Sequence, residues 1–547
     1  MAHGQMKHGS ESFFIEGEGV LPAQLGGRSG EEDDPVNESE SPRSRAATPL
    51  AAAAAPPFRF SRVGPRGTPL RPALVKKLAR AMVVGGGTDG GRHGVPAGYT
   101  YFGQFVDHDL TMDRTDLALG ENVSPTDLLQ GRSPRLDLDS LYGAGPASPQ
   151  SARFYAADGL HLRTGDTIGV PPDAAKEGHD LPRAGTGRTA QARRTALIPD
   201  PRNDENLVVA QTHLAMIRFH NRIVDKVPAS VPPAQRFGRA RKRVTLHYQW
   251  LIRHDYLPRI CRAATLDDVW RNGRVLVEPD AAPTDVPAMP IEFSIAAFRL
   301  GHSMVRETYN WNRRFPGQDG FLEYMFAFSA LGGDLGGENR LISSWVADWR
   351  RMYDFVSAGH PRLGAPGGVN RAMRLDTVLT NPLQNLPPSV FGGSDAIPFD
   401  DLRRNLAFRN LTRAGMVRLA TGQGMAALLR KRGVPVRDLT REQILEGSGG
   451  ARLTGLTAAE RDALATRTPL WFYVLREAEH NAGRLRDVGA RIVAETFHRA
   501  IEGSRFSIVR EPDWRPTIGR DGTFEMTDLL FFAFAGKKAG LNPLGGR

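Results

Sequence analysis

The sequence predicts a mainly α-helical, multi-helical fold with little β-structure. Apolar residues recur three and four apart through most of the segments able to form a core, the spacing of helices with one buried face. The alternating stretch that stands out, residues 133–139, alternates polar rather than apolar side chains. The chain has 547 residues, 40% of them hydrophobic, which is enough for a large core.

Composition narrows the functional classes. Lys and Arg number 71 and Asp and Glu 60, so the formal net charge is 71 − 60 = +11, a modest pull on anions. No basic tract is dense enough for a nucleic-acid patch. The best candidate, from Arg236 to Arg243, reads as the solvated opening of a helix. Cys261 is the lone cysteine, so no intrachain disulfide marks an oxidising compartment. No apolar run reaches membrane-spanning length. The start carries no basic region followed by an apolar core, and the Ala51 to Ala55 run is too short and too far in for a secretory signal. The cytoplasm is therefore the default compartment, with non-classical secretion as the alternative.

Residues 1–57 are rich in Gly, Ser, Glu, Pro and Ala, cannot supply a core, and are expected to be a disordered arm. A single folded domain is expected over residues 58–547. The glycine-rich run at 85–91 lacks the Gly-Lys-Ser/Thr of a phosphate loop and reads as a connection.

Residues 101–111, Tyr-Phe-Gly-Gln-Phe-Val-Asp-His-Asp-Leu-Thr, place an apolar helix pattern against a dense set of ionisable groups. At 100° per residue Gln104 and His108 share a face, Asp107 lies beside them, and Asp109 turns away. A helix end with solvated Asp and His is the plain alternative. Next, Ser133, Arg135, Asp137 and Asp139 fall on one side of an extended backbone, as a turn or an oxygen-ligand loop for a hard cation would require. Residues 144–200 read as long loops. At Asp200-Pro201-Arg202-Asn203-Asp204-Glu205-Asn206 a helix begins, with Asn203 or Asp204 able to cap it, and runs to about Val227. His213 and His220 on it read as packed or surface histidines. A helix over 235–260 buries Val244, Tyr248, Leu251 and Ile252. Residues 293–305 form a mostly apolar helix carrying Arg299 and His302, where a hydrogen-bonded core histidine is the plain alternative. Shorter helices and loops over 310–400 include the core-like Trp345, Trp349 and Met352. Helices follow at 402–429, containing Arg409-Asn410-Leu411-Thr412-Arg413, and at 455–503, with 470–475 as a core segment. No internal repeat is evident.

In their shared order these segments resemble the animal haem peroxidases, the peroxidase–cyclooxygenase superfamily, as a disulfide-free bacterial-type member. The resemblance implies haem b held between a distal helix carrying His108 and a proximal helix carrying His302. His302 would ligate iron, Asn410 would accept from its ring N–H, and Arg299 and Arg413 would meet the propionates. His108 would be the acid–base catalyst, Arg202 would face peroxide, and Gln104 would hold distal water or a small anion. Asp107 and Glu205 match residues that esterify haem methyl groups. Asn206 stands where a sulfonium-forming Met would be, so that link is not expected. The resemblance also implies Ca²⁺ on Asp109, Ser133, the Arg135 carbonyl, Asp137 and Asp139. The activity implied is reduction of hydrogen peroxide through a ferryl intermediate, with oxidation of a halide, pseudohalide or phenolic donor and a place in the response to oxidative stress.

Three rivals remain at this stage. A fatty-acid dioxygenase of the same superfamily would have a radical-forming Tyr three residues before the proximal His, where this chain has Arg299. A non-enzymatic adhesion or scaffold protein would keep the fold without turnover. A non-haem metal enzyme on Asp107, His108 and Asp109 would need adjacent helical side chains to converge, which they do not do readily.

Overall fold

The computed structural model describes residues 58–83, 94–115, 117–391 and 397–545. The expected arm at 1–57 and the glycine-rich connection at 85–91 lie outside them. Helix accounts for 45% and β-structure, isolated bridges included, for 7%, a mainly helical fold as expected. The helices are α1 (Pro72–Ala81), α2 (Gly98–Leu110), α3 (Asp139–Tyr142), α4 (Ala190–Arg194), α5 (Leu207–Val224), α6 (Pro233–Leu251), α7 (Leu257–Ile260), α8 (Ala263–Asn272), α9 (Ile291–Ser294), α10 (Gly301–Met304), α11 (Leu322–Ala327), α12 (Trp349–Met352), α13 (Leu406–Met416), α14 (Gly422–Lys431), α15 (Arg441–Glu446), α16 (Ala458–Thr466), α17 (Leu470–Glu479), α18 (Val488–Glu502), α19 (Met526–Ala533) and α20 (Lys538–Leu541). The strands pair two residues at a time. β1 (Phe60–Ser61) lies parallel to β2 (Met289–Pro290), and β3 (Thr308–Tyr309) antiparallel to β4 (Gly320–Phe321).

α2 is buried at every position, its polar residues included. A helix sheathed all round needs close approach, and two glycines permit it. A Cβ on Gly98 would lie 2.3 Å from the Tyr353 ring, and one on Gly103 would lie 2.2 Å from the Tyr256 hydroxyl. α5 packs along α2, with α6 and α19 against its other sides, and α10 also rests on α2. Beside it, Tyr101 of α2 meets Tyr309 of β3, their hydroxyls hydrogen-bonding at 2.6 Å.

α5 does not start where local capping rules place it. Asn206 is its N-cap, accepting from the Val209 N–H at 2.9 Å. Asn203 and Asp204 sit one turn earlier in a 3₁₀ turn, Pro201–Asp204, capped by Asp200. α6 buries Val244, Tyr248 and Leu251, with Ile252 beyond it. It then widens into a π turn, Ile252–Tyr256, just before Pro258, which has no N–H to return to the carbonyl four residues back.

The helix expected over 293–305 is broken. α9 ends at Ser294, Ala296 leaves helical geometry (φ −135°, ψ −73°), and a 3₁₀ turn, Ala297–Leu300, leads into α10. The Ser294 carbonyl explains part of the break. A continuous helix would give it to the N–H four residues on, but here the Arg299 Nε takes it at 3.0 Å. No helix among the described residues is long and apolar enough to cross a membrane.

Candidate active site

His108 is 0% exposed on α2. Its Nδ1 lies 2.8 Å from the Asn203 Oδ1, and its Nε2 has no hydrogen-bond partner. The Glu205 Oε1 lies 3.8 Å from that nitrogen. Burial is the main force on this ring and the Arg202 charge the second; together they lower its pKa from 6.5 to about 3, against the opposing pull of Asp200 and Asn203. The ring is thus neutral across the physiological range, further from neutral-pH titration than a free histidine.

Arg202 is also fully buried. Its Nε and Nη2 bond the two Asp200 oxygens at 2.9 and 2.7 Å, and Nη2 reaches the His108 and Thr111 carbonyls at 3.1 and 2.8 Å. Those carbonyls end α2, where the partial negative charge of a helix collects. Arg132 adds a second cation on Asp200 at 2.5 Å. Burial alone would raise the Asp200 carboxyl, but Arg202 and Arg132 outweigh it and hold the group far below the usual carboxylate range. Burial likewise works against the Arg202 charge, and Asp200 more than offsets it.

Gln104 bonds Glu205 through its amide nitrogen, and its oxygen accepts from the Asn206 Nδ2 at 3.0 Å. Both ends of this amide therefore tie α2 to the start of α5. Asp107 is buried, with the Thr111 hydroxyl 3.3 Å from its Oδ2. Gln104, Asp107, His108, Arg202 and Glu205 are thus gathered at one junction, that of α2, the 3₁₀ turn and α5.

The second predicted group is gathered by α10, the preceding 3₁₀ turn and α13. Asn410 meets His302, its Nδ2 2.7 Å from the ring Nδ1, while its Oδ1 accepts from the Arg299 Nη1. The pairing was expected, but the amide is turned the other way. Arg299 claims the oxygen, so the nitrogen faces the ring. Burial, then the Arg299 charge, lowers the His302 pKa well below 6.5. Arg413 is an ion-pair partner of Asp113, on the segment following α2, so its charge is already matched.

The expected calcium loop is not gathered into a cage. Among the described residues no group of three or more His, Cys, Asp or Glu side chains could hold a metal ion. Asp109 spends one oxygen on the Leu138 N–H and the other on the Ser140 N–H and hydroxyl, at 3.0 to 3.1 Å. Both Asp137 oxygens accept from the Arg505 N–H, at 2.9 and 3.0 Å. Arg241 bonds the Asp137 carbonyl at 3.2 Å and Asp139 at 3.3 Å. Backbone amides and a guanidinium hold these oxygens, burial with the charge of Asp139 added raises the Asp109 and Asp137 carboxyls, and among the described residues no three such side chains close on one point. The same observation removes the non-haem centre on Asp107, His108 and Asp109.

Local pattern missed three buried residues at this junction. Asp200 orients Arg202 from two residues before it, and that spacing was a readable signal. Asn203 was read only as a cap. His213 was read as packing, yet its Nδ1 accepts from the Asn203 Nδ2 at 2.9 Å. His220 is a buried packing residue, bonded to the Tyr142 hydroxyl and the Leu160 carbonyl.

A model of the animal haem peroxidase family matches residues 111–328, a span that begins just after α2 and includes the Arg202 and His302 segments. A peroxidase-like protein of Margaritifera margaritifera is 26% identical over 261 residues, covering 39% of this chain and 32% of that protein. Mouse (Mus musculus) thyroid peroxidase is 30% identical over 197 residues, covering 34% of this chain and 20% of that protein. The match thus spans about a third or less of the length of these relatives. Among solved structures, peroxidase A from Dictyostelium discoideum superposes with a TM-score of 0.51 at 13% identity, covering 86% of this chain and 95% of that one. The fatty acid alpha-dioxygenase of Oryza sativa gives 0.52 at 12% identity, covering 82% and 76%. At such identities these two likenesses concern the fold alone.

Proposed function

The chain is a member of the peroxidase–cyclooxygenase superfamily, and on that premise we propose that it is a haem-dependent peroxidase, reducing hydrogen peroxide and oxidising a small halide, pseudohalide or phenolic donor. The observation that carries this reading is His108, a neutral buried imidazole with one nitrogen held by Asn203 and the other without a hydrogen-bond partner, 3.8 Å from Glu205. Buried polar atoms are as a rule hydrogen-bonded, so an open ring nitrogen in this position calls for a partner that the chain itself does not supply.

The same nitrogen suits a proton acceptor beside a bound cofactor, and His302 would ligate iron through Nε2 once the Asn410 amide presents its oxygen, rather than its nitrogen, to Nδ1. When bound, haem would supply the redox chemistry. His108 Nε2 takes a proton from peroxide and returns it to the departing oxygen, help worth roughly a hundred- to ten-thousand-fold. Arg202, anchored on Asp200, is a fixed cation for the negative charge that develops as the O–O bond parts. Asp107 and Glu205 are the carboxylates for ester links to the cofactor.

A second reading is a fatty-acid dioxygenase, since solved dioxygenases share the fold. Against it, the position three residues before His302 is Arg299, whose guanidinium is spent on Ser294 and Asn410. The test is spectroscopic and kinetic. Purified, haem-supplied protein should give a Soret band, and His108→Ala should retain the band but lose peroxide-driven dye oxidation roughly 100-fold or more. Absence of the band, or unchanged turnover in the variant, overturns the proposal.

A further inference from the structure

We infer that Asn203 is a positioning residue, oriented by His213, that fixes His108 in the tautomer whose proton sits on Nδ1 and whose Nε2 is a free base. The argument follows the two ends of one amide. The Asn203 Nδ2 can only donate, and it lies 2.9 Å from the His213 Nδ1. Its Oδ1 is then left for the His108 Nδ1, 2.8 Å away, and an oxygen there can only accept. A neutral imidazole carries one N–H, so the proton on Nδ1 leaves a lone pair on Nε2. Turned over, the same amide would donate to His108 Nδ1. The proton would then move to Nε2, and the base would be lost.

The amide is enclosed on both sides by imidazoles. Asn203, His108 and His213 are each 0% exposed, so no water competes for either end. The His213 ring meets Phe105 of α2 edge to face, centroids 5.7 Å apart at 72°. Phe105 lies one turn before His108 on the same helix. Asn203 adjoins Arg202 in the 3₁₀ turn, so one turn of chain supplies both the cation and the group that sets the base. Removing Asn203 would leave the His108 Nδ1–H without an acceptor in a dry interior, which favours the other tautomer.

The tautomer is a property of this chain alone. Its consequence for turnover rests on the peroxidase reading, and the two are measured separately. In haem-free protein labelled with ¹⁵N-histidine, the His108 resonances, assigned by their loss in His108→Gln, should report a proton on Nδ1. Asn203→Asp keeps an acceptor and should keep that tautomer. Asn203→Leu should shift the population toward Nε2–H. In haem-supplied protein, Asn203→Leu should lower kcat/KM for peroxide about 100-fold, leave KM for the dye donor unchanged, and be largely rescued in Asn203→Asp. Should Asn203→Leu fail to fold, His213→Leu carries the test. It frees the amide to turn over, and a mixed tautomer is expected. An Nε2–H signal in the unaltered protein, or the same tautomer in all variants, overturns the inference. The expected tautomers in a protein that ignores peroxide would uphold the positioning and sink the peroxidase reading instead.

Discussion

Arg299 and His302 bond opposite ends of the same side-chain amide, that of Asn410. Arg299 thereby decides which end faces the imidazole. Iron ligation through the other ring nitrogen would need the ring proton on Nδ1, and so an oxygen turned toward it. Asn410→Asp presents an oxygen whichever way it turns. It should bind haem at least as tightly as the unaltered protein, whereas Asn410→Leu should bind roughly 10–100-fold more weakly. Haem titration followed at the Soret band distinguishes them.

Arg299→Tyr installs the residue type that the dioxygenase reading requires. It should destabilise the protein by about 2–4 kcal/mol, because the Ser294 carbonyl and the Asn410 amide lose a buried charged donor. Denaturant unfolding measures the loss. Fatty-acid oxygenation by that variant would show that the residue type alone decides the chemistry.

Asp200 carries two guanidinium groups in a site with no exposure. Its folded pKa lies below its unfolded value near 3.9, so its contribution is fully present above about pH 4 and fades as pH falls further. Asp200→Asn should therefore cost about 3–5 kcal/mol at pH 7, with the difference from the unaltered protein narrowing in acid. Denaturation curves at pH 7 and pH 3 test the sign.

His108 titrates near pH 3 in the folded chain and near 6.5 when unfolded. Its contribution to stability is present above about pH 6.5 and declines between there and pH 3, as the unfolded ring takes up a proton that the folded ring refuses. His108→Gln should remove up to about one proton's worth of slope from stability against pH in that window. Peroxide consumption should show no inflection from His108 between pH 4 and 8.

Arg241 occupies the loop expected to hold calcium and lies over the Tyr142 ring at 5.1 Å. Chelator should leave the melting temperature unchanged, while Arg241→Met should cost about 1 kcal/mol. A chelator-induced fall in Tm would restore the metal.

Much of this was legible because it is periodic. The buried faces of α5 and α6 follow from spacing three and four apart, as does the shared face of Gln104 and His108, while the core run at the start of α17 shows as consecutive apolar residues. What escaped depends on partners far along the chain. Asn203 acts on a residue 95 positions away and Arg299 on one 111 away. Part of the break at Ala296 follows from a side chain competing for a backbone carbonyl. Such competition has no period, and only the folded arrangement reveals which donor wins.

Gly103 has a consequence on the side of α2 that it does not face. His108 lies about 140° around the helix from it, while the Tyr256 hydroxyl bears directly on the glycine backbone. A single added methyl would wedge the helix away from its support and carry the imidazole forward by a comparable step. The depth to which the histidine projects is thus set from behind, by an atom that is missing.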